Sequence, residues 1–269
     1  MLSIRLFSAF LGIIILVIIV GAPGIYLNIA ITFIALMGLN EMFNAFRAAN
    51  MKPVRWIGYI SVLFVLFSQV PENINNYSVI YLLFFTVVLT LFLHVVLSNN
   101  KITYVDISVT LLAIFYITFL FSFIILTRNM GKGHLYIWFI LIGGWVTDSA
   151  AYFIGKFFGK HKLIPTISPK KTIEGAVGGI VICTLVMYIY GLAINTYYSI
   201  DISTIHYIIL GIIVSIFGQI GDLSASAIKR STTIKDFGNI MPGHGGIIDR
   251  FDSILFVAPI VYFYLTFIV

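Results

Sequence analysis

The sequence predicts an all-α, polytopic integral membrane protein with about nine transmembrane helices and a cytoplasmic N-terminus. Hydrophobic residues make up 60% of the 269-residue chain, charged residues only 10%, and the mean hydropathy is +1.07. A soluble domain of this size needs a polar surface that this composition does not supply, whereas repeated apolar runs of about 20 residues suit a lipid bilayer. The distribution of the basic residues, described below, gives the orientation.

Polar breaks divide the chain into nine candidate spans. They cover residues 6–20, 25–40, 56–70, 78–97, 107–127, 135–155, 173–195, 206–223 and 251–268. The first run follows Arg5 and resembles a signal peptide, but a second apolar run comes almost at once, which favours two spans. Because only the uncharged residues 21–24 join these two runs, a re-entrant hairpin is the alternative to two full crossings.

The basic residues fall almost entirely on one side if all nine segments cross. That side receives fourteen of the sixteen Lys and Arg residues, and the other receives only Arg128 and Lys132. The positive-inside rule therefore places the N-terminus and the basic loops in the cytoplasm, also if the first two segments form a hairpin. The longest polar connections, 156–172 and 224–250, lie on that side, and we expect the chemistry there. Segment 41–55 is predicted to be a linker on the membrane surface.

Four of the ten acidic residues, Asp148, Asp222, Asp249 and Asp252, lie in or against apolar runs. An ionised carboxylate at the bilayer centre costs about 2.5–3.5 kcal/mol, so such residues are functional candidates, with idle solvation at the headgroups as the alternative. Asp249 and Asp252 share one helix face and repel each other unless a cation lies between them. Together with Asp222 they suit Mg²⁺, which binds carboxylates and substrate phosphates. A lone Cys and scattered His residues do not suit zinc.

Two cytoplasmic segments have the features of phosphate-binding sites. Residues 242–246, "PGHGG", precede the last span; glycines let the backbone approach an anion, and a helix N-terminus attracts one. In the other segment, Ser168 is predicted to be an N-cap, with Pro169, Lys170 and Lys171 in the first helical turn. Cations there oppose the helix dipole, and a bound anion would resolve the conflict. The alternative is that these lysines set the topology or contact anionic headgroups.

Residues 226–252, "SAIKRSTTIKDFGNIMPGHGGIIDRFD", resemble the signature of the phosphatidate cytidylyltransferases, or CDP-diacylglycerol synthases. That pattern reads S-x-x-K-R, four residues, K-D, and a closing P-G-H-G-G-x-x-D-R-x-D. The segments "WVTDSAAYFIGKFFGK" and "SPKKTIEG" also resemble this family. The likeness divides the chain into a variable N-terminal set of helices, 1–134, for which packing and dimerisation are the expected roles, and a catalytic region, 135–269.

The resemblance implies an enzyme of phospholipid biosynthesis that transfers CMP from CTP to phosphatidate, giving CDP-diacylglycerol and pyrophosphate. It implies dependence on Mg²⁺, with a second cation as an open alternative, and a homodimer. It also implies a place in the cytoplasmic (inner) membrane, with the active site at the cytoplasmic face. CTP, phosphatidate and membrane lipid are the expected partners, and nucleic acid is not.

The resemblance also assigns roles to individual residues. The expected catalytic residues are Asp222, Lys229, Asp249 and Asp252. The expected metal ligands are Asp222, Asp249 and Asp252, with Asp148 as a further candidate. The expected contacts to substrate or its phosphates are Ser168, Lys170, Lys171, Arg230, Lys235, Gly243, His244, Gly245, Gly246 and Arg250.

The expected nucleophile is the phosphate of phosphatidate, which attacks the α-phosphorus of CTP. A phosphate monoester has its second pKa near 6 and is largely dianionic at neutral pH, so it needs no general base. Metal ions and Lys or Arg groups neutralise the two polyanions, as in phosphoryl transfer generally. His244 is expected to hydrogen-bond a phosphate, with a covalent role as the alternative.

Two other functions compete with this one. A secondary transporter also has many spans and intramembrane carboxylates, but it holds them near mid-bilayer in broken helices related by a repeat. Here the carboxylates cluster beside a basic, glycine-rich loop, and the sequence has no clear repeat. The nearer alternative is an enzyme of the same architecture with another lipid phosphate as acceptor, such as an isoprenoid glycerol phosphate. The sequence indicates the phosphate chemistry and not the apolar tail.

Overall fold

The computed structural model describes residues 12, 14–22, 24–67, 76–99, 101–239 and 245–269. Residues 6–11 and 13 of the predicted span 6–20 lie outside this description, as do Gly243 and His244. The helices are α1 Gly24–Ala48, α2 Arg55–Phe67, α3 Asn76–Leu97, α4 Tyr104–Arg128, α5 Gly133–Phe158, α6 Ile173–Tyr198, α7 Thr204–Ser231 and α8 Ile248–Phe267. Two strands, β1 Lys162–Ile164 and β2 Ser168–Thr172, connect α5 and α6.

The prediction of a helical membrane protein is confirmed in its coarse form. Within the described residues six helices, α1 and α4 to α8, are long and apolar enough to cross a membrane. The apolar parts of α2 and α3, Arg55–Leu66 and Tyr81–Leu97, are shorter. The count of nine spans and the cytoplasmic N-terminus therefore stay predictions.

The prediction that a helix starts at Ser168 and Pro169 is wrong. Residues 168–172 form strand β2, which pairs antiparallel with β1 and places Thr172 opposite Lys162. Helix α6 begins only at Ile173, where the Thr172 hydroxyl accepts a hydrogen bond from the N–H of Gly175 at 3.2 Å. The fixed φ of proline also fits an extended edge strand, and Thr172 is a preferred N-cap residue. Lys170 and Lys171 therefore precede the helix, and the small sheet departs from a purely α fold.

The chain folds as two compact units. The first unit contains Met1–Leu126 and Ser231–Arg250, and the second contains Thr127–Arg230 and Phe251–Val269. The predicted functional division between residues 134 and 135 stays a prediction. The glycine-rich segment and Asp249 thus belong to the first unit, and Asp148, Asp222 and Asp252 belong to the second.

In the first unit, α1 and α2 pack through large apolar side chains. Leu39 and Phe43 are fully buried, and the Phe43 ring meets the edge of the Tyr59 ring at 5.9 Å between centroids. At the start of α4, Asp106 forms a capping box with Thr103 and also accepts a hydrogen bond from the backbone N–H of Lys52 at 2.5 Å. A buried carboxylate thus fixes the chain between α1 and α2 to the start of α4.

In the second unit, glycines allow α5 to pack closely against α6 and α8. A Cβ atom on Gly175 of α6 would lie 2.6 Å from the carbonyl oxygen of Ala151. A π-helical turn, Ile142–Val146, interrupts α5, and a Cβ on its Gly144 would lie 2.7 Å from the Ile254 side chain of α8. Asp148 lies two residues after the end of this turn. Such π-helical turns are frequent at functional sites, and this one fixes where Asp148 emerges between the packed helices.

Candidate active site

Three carboxylates from three helices meet in the second unit. Asp148 lies on α5, Asp222 on α7 and Asp252 on α8, and Asp148 and Asp222 each interact electrostatically with Asp252 and with each other. Asp252 is buried, with 8% of its surface exposed. The structure therefore brings together three of the four acidic residues that the sequence singled out. Their mutual repulsion has to be offset by cations or by hydrogen-bond donors.

Ser253 is the hydrogen-bond donor that links two of these carboxylates. Its hydroxyl donates to Oδ2 of Asp148 at 2.6 Å, and its backbone N–H donates to Oδ1 of Asp252 at 2.9 Å. Ser253 was not among the residues predicted from the sequence. Its position next to Asp252 was the available signal, but a partner 105 residues away cannot be read from the sequence.

Two lysines supply the cationic side of the site. Lys171 Nζ lies 2.6 Å from Oδ2 of Asp222, and its charge also acts on Asp148. Lys229, about two turns after Asp222 on α7, acts electrostatically on Asp252. The other oxygen of Asp222, Oδ1, accepts a hydrogen bond from Ser226 at 3.4 Å. Each carboxylate is therefore matched by at least one charged or polar partner.

A cavity of about 520 Å³ opens beside Asp148 and Asp222. Its volume is within the range of small-molecule sites, about 300–1,000 Å³. Four lysines line it, namely Lys156, Lys162, Lys170 and Lys171. Tyr152, Thr172 and Gln219 contribute further polar groups. A pocket with this many ammonium groups suits a polyanionic ligand such as a nucleoside triphosphate.

The residues that line the cavity only partly match the predictions made for loop 156–172 and Arg230. Lys170 and Lys171 line it as expected, whereas Lys156 and Lys162 were counted only as basic loop residues. Ser168 lies in β2 outside the lining residues, and Arg230 donates through Nε to the carbonyl oxygen of Ile167 at 3.3 Å. Arg230 therefore contacts the turn between the two strands, and its role toward substrate stays a prediction.

The glycine-rich segment and Asp249 form a separate arrangement in the first unit. Oδ2 of Asp249 accepts hydrogen bonds from the N–H groups of Phe237 at 2.9 Å and Gly246 at 3.1 Å. Gly245 has a φ of +83°, a conformation that favours glycine. Lys235 and Arg250 are exposed. The expected metal and phosphate roles in this segment stay predictions.

Glu41 of α1 is a buried acidic residue that the sequence analysis assigned to a surface linker. That assignment is wrong for Glu41, because only 2% of its surface is exposed. Its Oε1 accepts from the N–H of Ile247 at 2.9 Å and its Oε2 from the N–H of Ile248 at 3.0 Å. The signal was the same as for the four aspartates, namely an acidic residue flanked by apolar ones ("LNEMF"), but its position at the end of a predicted span obscured it.

The three carboxylates of the second unit fit a hard divalent cation by their chemistry. They offer oxygen donors, which Mg²⁺ prefers, and they repel one another. Among the residues that the structure describes, no group of three or more His, Cys, Asp or Glu side chains forms a ready-made metal site. Mg²⁺ usually binds through one or two carboxylates together with substrate phosphates, so a complete protein cage is not required.

Comparisons with known proteins agree with this chemistry. The sequence profile described as the cytidylyltransferase family matches residues 3–268. The phosphatidate cytidylyltransferase of Bacillus subtilis (strain 168) is 40% identical over 235 residues, which cover 85% of this chain and 86% of that protein. The proteins of the same name from Staphylococcus aureus (strain COL) and Staphylococcus epidermidis are 34% and 32% identical, each with 96% of both chains covered.

Proposed function

Because the chain belongs to the cytidylyltransferase family, we propose that it transfers CMP from CTP to phosphatidate and forms CDP-diacylglycerol and pyrophosphate. The observation that supports this at the level of residues is the lysine-lined cavity beside three carboxylates in the second unit. Lysines suit the phosphates of both substrates, and the carboxylates suit the cation that accompanies a nucleoside triphosphate.

The lysines of the cavity would bind and orient the two polyanions. Lys156, Lys162 and Lys170 would neutralise phosphate oxygens of CTP and phosphatidate, so that the lipid phosphate can approach the α-phosphorus. This phosphate is largely dianionic at neutral pH and attacks without losing a proton to the protein. A new P–O bond forms at the α-phosphorus, the bond to the β-phosphate oxygen breaks, and pyrophosphate leaves. Positioning and charge neutralisation are the main contributions in reactions of this type.

Asp148, Asp222 and Asp252 would hold Mg²⁺, and the role of Asp249 as a metal ligand is proposed from the sequence alone. When bound, Mg²⁺ would reduce the repulsion between the phosphates and polarise the P–O bonds. Lys171 would compensate the charge of Asp222 before the cation and CTP arrive, since the two groups are 2.6 Å apart. A second cation is the open alternative to a single one, and Lys229 would balance the charge of Asp252.

The remaining predicted phosphate contacts are Ser168, Arg230, Lys235, Gly243, His244, Gly245, Gly246 and Arg250. Of these, the N–H of Gly246 already donates to Asp249, and the next two N–H groups already donate to Glu41. We therefore assign the phosphate contacts of this segment to its polar side chains and to the backbone of Gly243 and Gly245, rather than to the N–H groups of residues 246–248.

The setting proposed for this reaction is the cytoplasmic (inner) membrane of a bacterium, with the basic loops and the N-terminus in the cytoplasm. Phosphatidate then keeps its acyl chains in lipid, while its headgroup meets CTP from the cytosol. The surplus of Lys and Arg over Asp and Glu, +6, attracts both anionic substrates to that face. A homodimer is proposed from the family resemblance alone.

The acceptor experiment tests this function directly. Purified protein in mixed micelles receives Mg²⁺, CTP labelled at the α-phosphorus and one lipid phosphate at a time: phosphatidate, an isoprenoid glycerol phosphate or lysophosphatidate. We expect label in lipid with phosphatidate and stoichiometric pyrophosphate. If the isoprenoid lipid is labelled in preference to phosphatidate, the isoprenoid glycerol phosphate is the acceptor and the proposed substrate is wrong. An absence of labelled lipid with every acceptor, in protein shown to be folded, would contradict the proposed reaction.

A further inference from the structure

We infer that Glu41 is a positioning residue of the glycine-rich segment: its buried carboxylate binds the backbone at the start of α8 and thereby holds the segment that carries Asp249. Glu41 lies on α1, 206 residues before Ile247 in the sequence. The inference rests on the cytidylyl transfer reaction and not on the proposed metal ligands.

The first observation is the geometry at the helix N-terminus. The first N–H groups of a helix have no partner within the helix and carry a partial positive charge. At α8 these groups are bound by carboxylates of the protein itself. Oε1 and Oε2 of Glu41 accept from Ile247 at 2.9 Å and from Ile248 at 3.0 Å, so both oxygens are used. A side chain from a distant helix thus determines where α8 begins.

The second observation is that one carboxylate, that of Asp249, binds the backbone on both sides of the segment. Asp249 accepts from the N–H groups of Phe237 and Gly246, the two ends of a ten-residue stretch. Glu41 binds the next two N–H groups, and its charge acts on Asp249. Two neighbouring carboxylates therefore bind four backbone N–H groups, those of Phe237, Gly246, Ile247 and Ile248. If Glu41 no longer accepts the hydrogen bonds from Ile247 and Ile248, the backbone next to Gly246 is no longer fixed, and the hydrogen bond from Gly246 to Asp249 is weakened.

The third observation is steric. A Cβ atom on Gly246 would lie 2.6 Å from Oε2 of Glu41, and a Cβ on Gly238 would come still closer to Oε1. Both positions therefore need glycine so that the Glu41 carboxylate can reach the backbone. At Gly246 the requirement has a cause within the protein, independent of any phosphate.

The test compares Glu41→Gln with Asp106→Asn. Both changes convert a buried carboxylate of the first unit that binds backbone N–H groups, but Asp106 binds Lys52 and Thr103, outside the glycine-rich segment. The glutamine amide keeps one acceptor and turns an N–H donor toward another donor. We measure kcat and KM for CTP, thermal unfolding, and hydrogen–deuterium exchange of peptides that contain Phe237 to Asp249.

We expect Glu41→Gln to lower kcat by about 10- to 100-fold, because small displacements of reacting groups have effects of this size. Exchange should increase in the peptides with Phe237 to Asp249, and the unfolding temperature should fall no further than in Asp106→Asn, which keeps its kcat. Equal losses of kcat in both variants, or unchanged exchange in Glu41→Gln, would overturn the inference.

A second variant covers the case in which Glu41→Gln does not fold. Gly238→Ala leaves the carboxylate in place and adds a methyl group against it. The same loss of kcat and the same local rise in exchange are expected. Full activity with unchanged exchange in Gly238→Ala would overturn the inference. Wild-type protein assayed alongside shows whether the reaction itself occurs. A failure of the proposed function is thereby distinguished from a failure of the inference about Glu41.

Discussion

The ion pair between Lys171 and Asp222 is the residue-scale feature with the clearest functional consequence. The two side chains keep only 22% and 26% of their surface exposed, and the charged atoms are 2.6 Å apart. A cation that binds Asp222 has to compete with this ammonium group. Under the proposed Mg²⁺ dependence, the pair would link the Mg²⁺ concentration needed for activity to a residue that lines the cavity.

Replacement of Lys171 by Met should change both turnover and metal dependence. We expect kcat to fall by about 10- to 100-fold, because a positive charge that would offset the negative charge at the α-phosphate in the transition state is lost. The Mg²⁺ concentration for half-maximal activity should decrease, because Asp222 no longer pairs with an ammonium group. Lys162→Met removes a charge from the same cavity and should raise KM for CTP without this shift. An identical Mg²⁺ requirement in both variants would contradict the competition.

The site residues that could be predicted from the sequence are the acidic ones that lie in apolar segments. Asp148, Asp222 and Asp252 stand out because ionised groups are costly in apolar segments. Ser253 and Glu41 were missed because their roles depend on partners 105 and more than 200 residues away. Hydroxyl groups and a carboxylate at the end of a span have many ordinary explanations, and only the folded chain selects among them.

At the scale of elements, the boundary between β2 and α6 determines how the lysines reach the cavity. Because Thr172 and not Ser168 is the N-cap, Lys170 and Lys171 lie on an extended strand rather than in a helical turn. Only Ser168 was predicted as the N-cap, because serine followed by proline is typical of helix N-termini, but threonine followed by an acidic residue in the first turn is typical as well. Pairing with Lys162–Ile164 decided the outcome, and strand pairing over such short segments is not visible in the sequence.

Replacement of Thr172 by Val keeps the shape of the side chain but removes its hydroxyl group, and it should destabilise the second unit. The Thr172 hydroxyl caps α6, and we expect its loss to cost about 0.5–2 kcal/mol, seen as a lower unfolding temperature in detergent. Thr172→Ser keeps the hydroxyl and is the matched control. If Val and Ser variants unfold at the same temperature, the hydroxyl does not cap the helix.

At the scale of the whole molecule, composition predicted the membrane class and charge distribution predicted an orientation. The class follows from apolar content that a soluble protein cannot accommodate, and the described residues contain six helices suited to a bilayer. The number of spans is harder to derive, because α2 has 13 described residues and is shorter than the range of about 17–25 residues for a crossing, while the apolar part of α3 lies near the lower limit of that range.

The orientation can be tested with single cysteines. Cys183 is fully buried, so Cys183→Ala provides a background without an accessible thiol. In that background Lys160→Cys and Lys132→Cys place thiols at two exposed positions. We expect a membrane-impermeant maleimide to label Lys160→Cys only in inside-out vesicles and Lys132→Cys only in right-side-out vesicles. The reverse pattern would invert the topology and move the cavity to the outer face.

The most direct test of the central claim is the Mg²⁺-dependent rate of CDP-diacylglycerol formation in the wild type, Asp222→Asn and Asp201→Asn. Both substitutions remove one carboxylate charge, but Asp201 is exposed between α6 and α7. We predict that Asp222→Asn lowers kcat by about 100- to 1,000-fold at saturating CTP and phosphatidate, and that Asp201→Asn keeps the wild-type rate. Wild-type turnover and Mg²⁺ dependence in folded Asp222→Asn would contradict the placement of the reaction at these carboxylates.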